Sequence, residues 1–303
     1  MNNPEPRHHS AFVALVGRPN CGKSTLMNTM LGENLAVVTP LPQTTRKNLK
    51  CIYTDENLQL IFVDTPGIHH GGFAFNDSMV KESDRLIRRR EIDIICCLVD
   101  CSRSLGEEEE VVARMVGESH IPVVVVFNKK DLCKSTDAFI ASYFSRFPAL
   151  QSAPRICISA TKKEAKEPFL SIIKALAPEG PQLFPTDDLT DADLRFFAAE
   201  YVRKHIITNT SDEVPHAAFV EIVRYKEYDD KHQVEAEIHV ETDGQKAIII
   251  GRKGALIRKI QLDAQQDLEK LTGVPAVINC HVKISPKWRN NDGFLREMGF
   301  FVK

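Results

Sequence analysis

No stretch of about eighteen consecutive apolar residues occurs in the 303-residue chain, so no segment reads as a membrane-spanning helix. The opening run Met1-Asn2-Asn3-Pro4-Glu5-Pro6-Arg7-His8-His9 has no apolar signal region and predicts a flexible arm over 1–10. No C-x-x-C pair is found among the eight cysteines, which removes the usual zinc and dithiol spacings. Cys96, Cys97, Cys101 and Cys157 lie in or beside apolar runs and read as small buried hydrophobes in a reducing, cytoplasmic protein. An apolar fraction of 43% is ordinary for a globular chain. The length exceeds one typical domain, so two are expected.

Gly17-Arg18-Pro19-Asn20-Cys21-Gly22-Lys23-Ser24 is a full match to the phosphate-loop pattern G-x-x-x-x-G-K-[ST]. The apolar run Phe12–Val16 precedes it, and Ser24-Thr25-Leu26-Met27-Asn28 opens a helix. Glycines let backbone amides curl around a phosphate, and the helix start presents unpaired N–H groups to the anion. Lys23 reaches the β- and γ-phosphates, and Ser24 offers its hydroxyl to magnesium. Cys21 sits inside this loop, where bound phosphates disfavour a second negative charge.

Three later segments name the base. Asp64-Thr65-Pro66-Gly67 follows Leu60–Val63; the acid suits a magnesium shell, and the glycine amide suits the γ-phosphate. Asn128-Lys129-Lys130-Asp131 follows Val123–Phe127. Guanine presents two donors on one edge, and the Asp131 carboxylate accepts both. Asn128 ties this loop to the base and the phosphate loop, while the Lys129 stem covers the base face. Ser159-Ala160 follows Ile156–Ile158 and offers a backbone amide for guanine O6. The order and placement predict GTP rather than ATP.

Strands near 11–16, 59–63, 94–99, 122–127 and 155–158 alternate with helices such as 78–90 and 107–117. This predicts an α/β P-loop GTPase domain over 11–177, a mostly parallel sheet with helices on both faces. Glu107 to Glu110 read as negative charge at a helix start. Prolines 178, 181 and 185 with Gly180 stop regular structure and predict a linker over 178–190. A second domain is expected over 191–303. Its helix starts near Asp191, with strands around 216–226 and 233–241.

Charge separates along the chain. From Gly244 to Lys303 there are eleven Lys/Arg and five Asp/Glu, net +6, against −2 for the whole. A basic terminal module on an acidic protein suggests a polyanionic partner. Within it stands Ile250-Gly251-Arg252-Lys253-Gly254, followed by an amphipathic helix and a strand at 276–284. G-x-x-G between helices resembles the α+β type II KH module, whose glycines let the backbone approach single-stranded RNA.

The whole chain resembles the Era family of bacterial GTPases. The motifs are Gly17 to Thr25, Pro42-Gln43-Thr44-Thr45-Arg46, Asp64-Thr65-Pro66-Gly67-Ile68-His69 and Asn128-Lys129-Lys130-Asp131. Further along come Asp212-Glu213-Val214-Pro215-His216, the G-x-x-G segment, Trp288-Arg289-Asn290-Asn291 and Leu295–Phe300. The resemblance implies GTP hydrolysis and binding of the 3′ end of small-subunit (16S) rRNA through the KH domain. It also implies assistance to 30S subunit assembly, and a cytoplasmic protein with peripheral contact at the inner membrane. No stable oligomer is inferred. The implied nucleotide contacts are Gly17, Arg18, Pro19, Asn20, Cys21, Gly22, Lys23, Ser24, Thr25, Asp64, Thr65, Pro66, Gly67, Asn128, Lys129, Asp131, Ser159 and Ala160. The implied RNA contacts are Ile250, Gly251, Arg252, Lys253, Gly254, Lys283, Lys287, Trp288 and Arg289. Cys21 and Gln261 depart from the residues common in the family, Val and Gly.

Lys23, Thr45 and Gly67 are the catalytic expectations, with Ser24, Asp64 and Thr45 around magnesium and Thr44 the alternative switch ligand. Ile68 stands where Ras-like enzymes carry a water-orienting Gln, which implies a hydrophobic-substituted GTPase with slow turnover. Asn20 matches an asparagine that related GTPases use for potassium; the competing reading is loop closure by hydrogen bonds. The competing function is a GTPase switch that recruits a protein or membrane partner, with the KH fold as a docking module.

Overall fold

The computed structural model describes residues 8–39, 49–65, 75, 81, 85 and 91–300. The chain forms two compact units. The first runs to Asp191 apart from Val37–Thr44 and Phe73–Phe75, which group with the second unit, Ala192–Lys303.

The first unit is built on a six-stranded sheet of order β2-β3-β1-β4-β5-β6. Its strands are β1 (His9–Val16), β2 (Leu49–Asp55), β3 (Leu58–Asp64), β4 (Ile94–Asp100), β5 (Val123–Asn128) and β6 (Arg155–Cys157). Only β2 runs antiparallel, against β3; the other pairs are parallel. β3 and β4 are buried at every position, as expected for strands covered on both faces. Among the described residues the helices are α1 (Lys23–Leu31), α2 (Glu107–Gly117), α3 (Thr136–Arg146) and α4 (Lys166–Lys174), and most of the helix expected over 78–90 lies outside them. Cys97, Val99, Val112, Val116, Phe127, Tyr143 and Phe144 meet in one core cluster. The strand C-termini therefore deliver Gly17, Asp64, Asp100 and Asn128 to one edge of the sheet.

Two segments expected as arm and linker are hydrogen-bonded to this sheet. β1 begins at His9, whose Nδ1 lies 2.8 Å from the Ala177 carbonyl. The Ile52 amide donates to the Leu189 carbonyl at 2.8 Å, and Gln59 takes the Leu183 and Phe184 amides at 2.7 and 2.9 Å. Prolines and Gly180 stop regular structure there without detaching the chain from the first unit.

The second unit runs α5 (Leu194–Asn209), α6 (Val214–Ala217), β7 (Phe219–Glu227), β8 (His232–Val240), α7 (Asp243–Ile250), α8 (Ala255–Thr272), β9 (Ala276–Ile284) and α9 (Asp292–Glu297). The three strands form a sheet β7-β8-β9, with β7 antiparallel and β9 parallel to β8. This is the α-β-β-α-α-β order of the type II KH arrangement. Thr242 caps α7 with a capping box closed by Gln245. On α8, Ile260, Ala264 and Leu268 recur at helical spacing and are fully buried, which seats this helix on the sheet.

Candidate nucleotide and RNA sites

The phosphate loop joins β1 to α1. Gly22 occupies the helix N-cap at φ 102°, and a Cβ there would lie 2.2 Å from Asn128 Nδ2. No side chain fits that approach. Lys23 is buried, and its ammonium donates to the Gly17 and Arg18 carbonyls at 3.2 and 3.3 Å. Those bonds fold the charge over the loop that it serves. The Ser24 hydroxyl donates to Asp64 Oδ2 at 2.7 Å, and Asp64 is buried. Two hard oxygen donors thus converge beside the loop, a set that fits magnesium.

Asn128 is buried and bonded at both ends. Its Nδ2 donates to the Cys21 carbonyl at 2.8 Å, and its Oδ1 accepts the Ala160 amide at 2.8 Å. The expected bracing role is thereby made to two loops at once. The Ala160 N–H serves the loop in this arrangement, not a base. Ser159 Oγ accepts the Asp131 amide at 3.2 Å. Its hydroxyl also holds the exposed Asp131 carboxyl below the usual range.

Burial alone would raise the Asp100 carboxyl, but hydrogen bonds from Lys129 and Ser102 outweigh it and hold the group below its ordinary value. The Lys129 ammonium reaches Asp100 at 2.7 Å, Arg103 Nε reaches it at 2.9 Å, and Arg103 also donates to the Pro19 carbonyl at 3.1 Å. Asp100 thus fixes both the stem expected over the base and the phosphate loop. Sequence reading missed it; an acid ending an apolar strand was the available signal.

Arg18 points away from the nucleotide loop. Its guanidinium pairs with Glu109 on α2 at 2.7 Å, both side chains being buried. Glu109 also closes the start of α2 by accepting the Gly106 amide at 2.8 Å. Cys21 is fully buried. Burial pushes its thiol up, against the opposing charge of Lys23, so it is a thiol and not a nucleophilic thiolate near neutral pH. Pro19 is buried, Thr25 half-buried and Asn20 exposed at φ 60°. Thr65 is buried and donates to the Leu15 carbonyl at 2.7 Å. Thr44, Thr45, Pro66, Gly67 and Ile68 lie outside the described residues.

In the second unit, Gly251 ends α7 at φ 70°, where a Cβ would meet the Leu256 Cβ at 2.7 Å. Gly254, at φ 76°, caps α8. Arg252 and Lys253 are exposed between them, and Ile250 is half-buried. Ile248 on α7, Leu262 on α8 and Val277 on β9 are exposed apolar side chains of this unit. Gln261 donates to the Ile278 carbonyl at 3.2 Å, and Gln265 accepts the Ile278 amide at 3.1 Å. The departure at Gln261 therefore helps to close the outer edge of β9.

The later basic residues are spread out. Lys287 is exposed, Lys283 reaches Glu237 at 3.1 Å, and Arg289 is paired with Glu241. Trp288 is 1% exposed, and its indole N–H donates to the Ala217 carbonyl at 2.8 Å. It packs against Phe219 and Phe294, with Phe75 edge-on at 5.2 Å. A ring buried this way supports the domain and is not offered to a base.

Residues 12–129 match a family described as 50S ribosome-binding GTPase, and residues 213–289 match the KH domain. A GTPase Era of Lacticaseibacillus paracasei is 39% identical over 299 residues, 98% of each chain. The chain belongs to the GTPase Era family. A second Era protein, from Geobacter metallireducens, is 37% identical over 96% of this chain and 97% of its own. Among solved structures, an Aquifex aeolicus Era variant bound to GDP.AlF4- has a TM-score of 0.89 at 32% identity, covering 96% of this chain and 99% of its own. An Era complex with MgGDPNP and nucleotides 1506–1542 of 16S ribosomal RNA has a TM-score of 0.90 at 33% identity, with the same coverage.

Proposed function

We propose that this protein binds and hydrolyses GTP in its first unit, and binds the 3′ end of 16S rRNA through its KH unit to assist 30S assembly. The buried bracket made by Asn128 between the Cys21 carbonyl and the Ala160 amide carries the nucleotide reading. It joins the phosphate loop to the base-recognition loops. The G-x-x-G loop, with Arg252 and Lys253 exposed between its glycines, supports the RNA reading. An Era protein bound to a 16S rRNA fragment is a relative over nearly the full length.

Each residue has a separate task. Asp131 accepts the two donors of guanine, and Lys129, held by Asp100, covers the base. Lys23 leaves its loop carbonyls for the β- and γ-phosphates and neutralises charge that spreads over the phosphoryl oxygens. Ser24 and Asp64 would hold magnesium, which would supply positive charge against that of the phosphates. Thr45 would join them as a magnesium ligand, and the Gly67 amide would serve the γ-phosphate. With Ile68 in place of a polar water-orienting residue, intrinsic turnover is slow. Asn20 at the loop rim is the ligand for potassium. Arg252 and Lys253 meet RNA phosphates, and the two glycines admit the backbone.

No described helix is long and apolar enough to cross a membrane. The inner-membrane contact belonging to this proposal is a peripheral one at the cytoplasmic face. GTP turnover in matched sodium and potassium buffers tests the nucleotide part. Lys23→Ala is expected to abolish useful binding or turnover. Potassium is expected to accelerate the parent, and Asn20→Ala to erase that difference. Turnover that survives Lys23→Ala overturns the catalytic assignment; equal rates in the two salts overturn potassium alone.

A further inference from the structure

Strand register places two carboxylates side by side in the KH unit. Glu221 on β7 pairs with Glu237 on β8. Two positions along β8, and so on the same face, stands His239. One ligand atom from each of the three lies within 4.8 Å of the others. His239 Nε2 is 3.1 Å from Glu221 Oε2 and 3.6 Å from Glu237 Oε2. The imidazole is 3% exposed, while the carboxylate side chains are 38% and 30% exposed.

Like charges directly opposed across a ladder are destabilising, so the pair calls for a cation. Lys283 supplies one, with its ammonium 3.1 Å from Glu237 Oε2. Its side chain is 58% exposed, so it leaves at small cost. The other imidazole nitrogen, Nδ1, lies 2.9 Å from Ser285 Oγ. With Nδ1–H donated to that oxygen, the Nε2 lone pair faces the carboxylates. Metal-binding histidines are oriented in this way by an outer partner.

We propose that Glu221, Glu237 and His239 bind one divalent transition-metal ion, with zinc the preferred ion. A tetrahedral site with bonds of about 2.1 Å separates its ligand atoms by roughly 3.4 Å, and the two histidine–carboxylate spacings bracket that distance. One imidazole nitrogen and two carboxylate oxygens suit zinc, whereas magnesium and calcium prefer an all-oxygen shell. A water completes the fourth position from the exposed side. The ion ties β7 to β8 and, through Ser285, to the segment after β9. This site is separate from the magnesium position beside the phosphate loop and does not rest on the function proposed above.

The test uses the untagged full-length protein and zinc alone, in competition with a chromophoric chelator. One ion per chain is expected, with Glu221→Gln and Glu237→Gln each weakening affinity at least about tenfold. His239 is buried, so the two half-exposed glutamates carry the test, with far-UV circular dichroism checking that they fold. Zinc is expected to raise the melting temperature of the parent and not of the Glu221→Gln/Glu237→Gln double variant. Cobalt in place of zinc is expected to give tetrahedral d–d bands with no thiolate charge-transfer band. Zinc binding no tighter in the parent than in the double variant overturns the site, as does a thiolate band.

Discussion

Asn128 donates its side-chain N–H to the Cys21 carbonyl at 2.8 Å, across 107 positions of sequence. The same amide group accepts from Ala160, so one side chain fastens three loops. Asn128→Ala leaves a buried carbonyl and a buried amide without this partner, and each such group costs about 1–3 kcal/mol. GTP affinity is expected to fall more than about tenfold, with a measurable loss in urea stability. Titration with a fluorescent GTP analogue and urea unfolding check both. Unchanged affinity contradicts the bracing role.

The proposed function gives Asp131 the choice of base. An amide at this position loses one acceptor for guanine and gains a donor for the extra carbonyl of xanthine. Asp131→Asn is expected to weaken GTP and favour xanthosine triphosphate. Competitive titration with the two nucleotides reads the preference directly. A variant that still prefers GTP removes Asp131 from the base site.

The Arg18–Glu109 pair is buried on both sides, so removing one partner strands a charge. Glu109→Ala is expected to cost about 3–5 kcal/mol. Replacing both by apolar residues of similar volume, Arg18→Met with Glu109→Leu, is expected to recover much of that loss. Urea unfolding of the parent and these two variants gives the comparison. A double variant less stable than Glu109→Ala refutes the stranded-charge explanation.

Both glycine loops were legible in the chain, because their chemistry restricts residue types at short spacing. The parallel strands were legible as unbroken apolar runs. β2 was not: Leu49–Asp55 mixes Lys50, Thr54 and Asp55 with apolar residues, as an antiparallel edge strand allows. Arg18–Glu109 was also hidden. Four consecutive glutamates suit any helix start, and nothing local singles out the one that turns inward. Trp288 stood among the RNA contacts that the family resemblance implied. Its burial depends on Phe219, far away in sequence.

Acid stability follows from Asp100. Its folded-state pKa lies below the unfolded value, so the unfolded chain binds more protons as pH falls. The contribution is full above the unfolded value of about 3.9 and is lost as pH falls through the folded one. Asp100→Asn is therefore expected to destabilise most near pH 7, with the gap to the parent narrowing below about pH 4. Urea unfolding across that range checks the sign. A gap independent of pH contradicts it.

The proposed function has one chain hold GTP at one unit and clamp RNA at the other through Gly251-Arg252-Lys253-Gly254. The most direct test is binding of the small-subunit rRNA 3′ end at several salt concentrations, with GTP titrated on the same preparations. A Cβ at Gly254 meets nothing within 4 Å, so Gly254→Asp keeps the fold apart from local strain at positive φ. It places a negative charge where a phosphate must approach. Gly254→Asp is expected to lose RNA binding, and Arg252→Ala with Lys253→Ala to weaken it and flatten the salt dependence. GTP affinity is expected to stay at the parent value in both. A folded Gly254→Asp variant that binds the rRNA end as tightly as the parent would contradict the clamp and favour a docking module in its place.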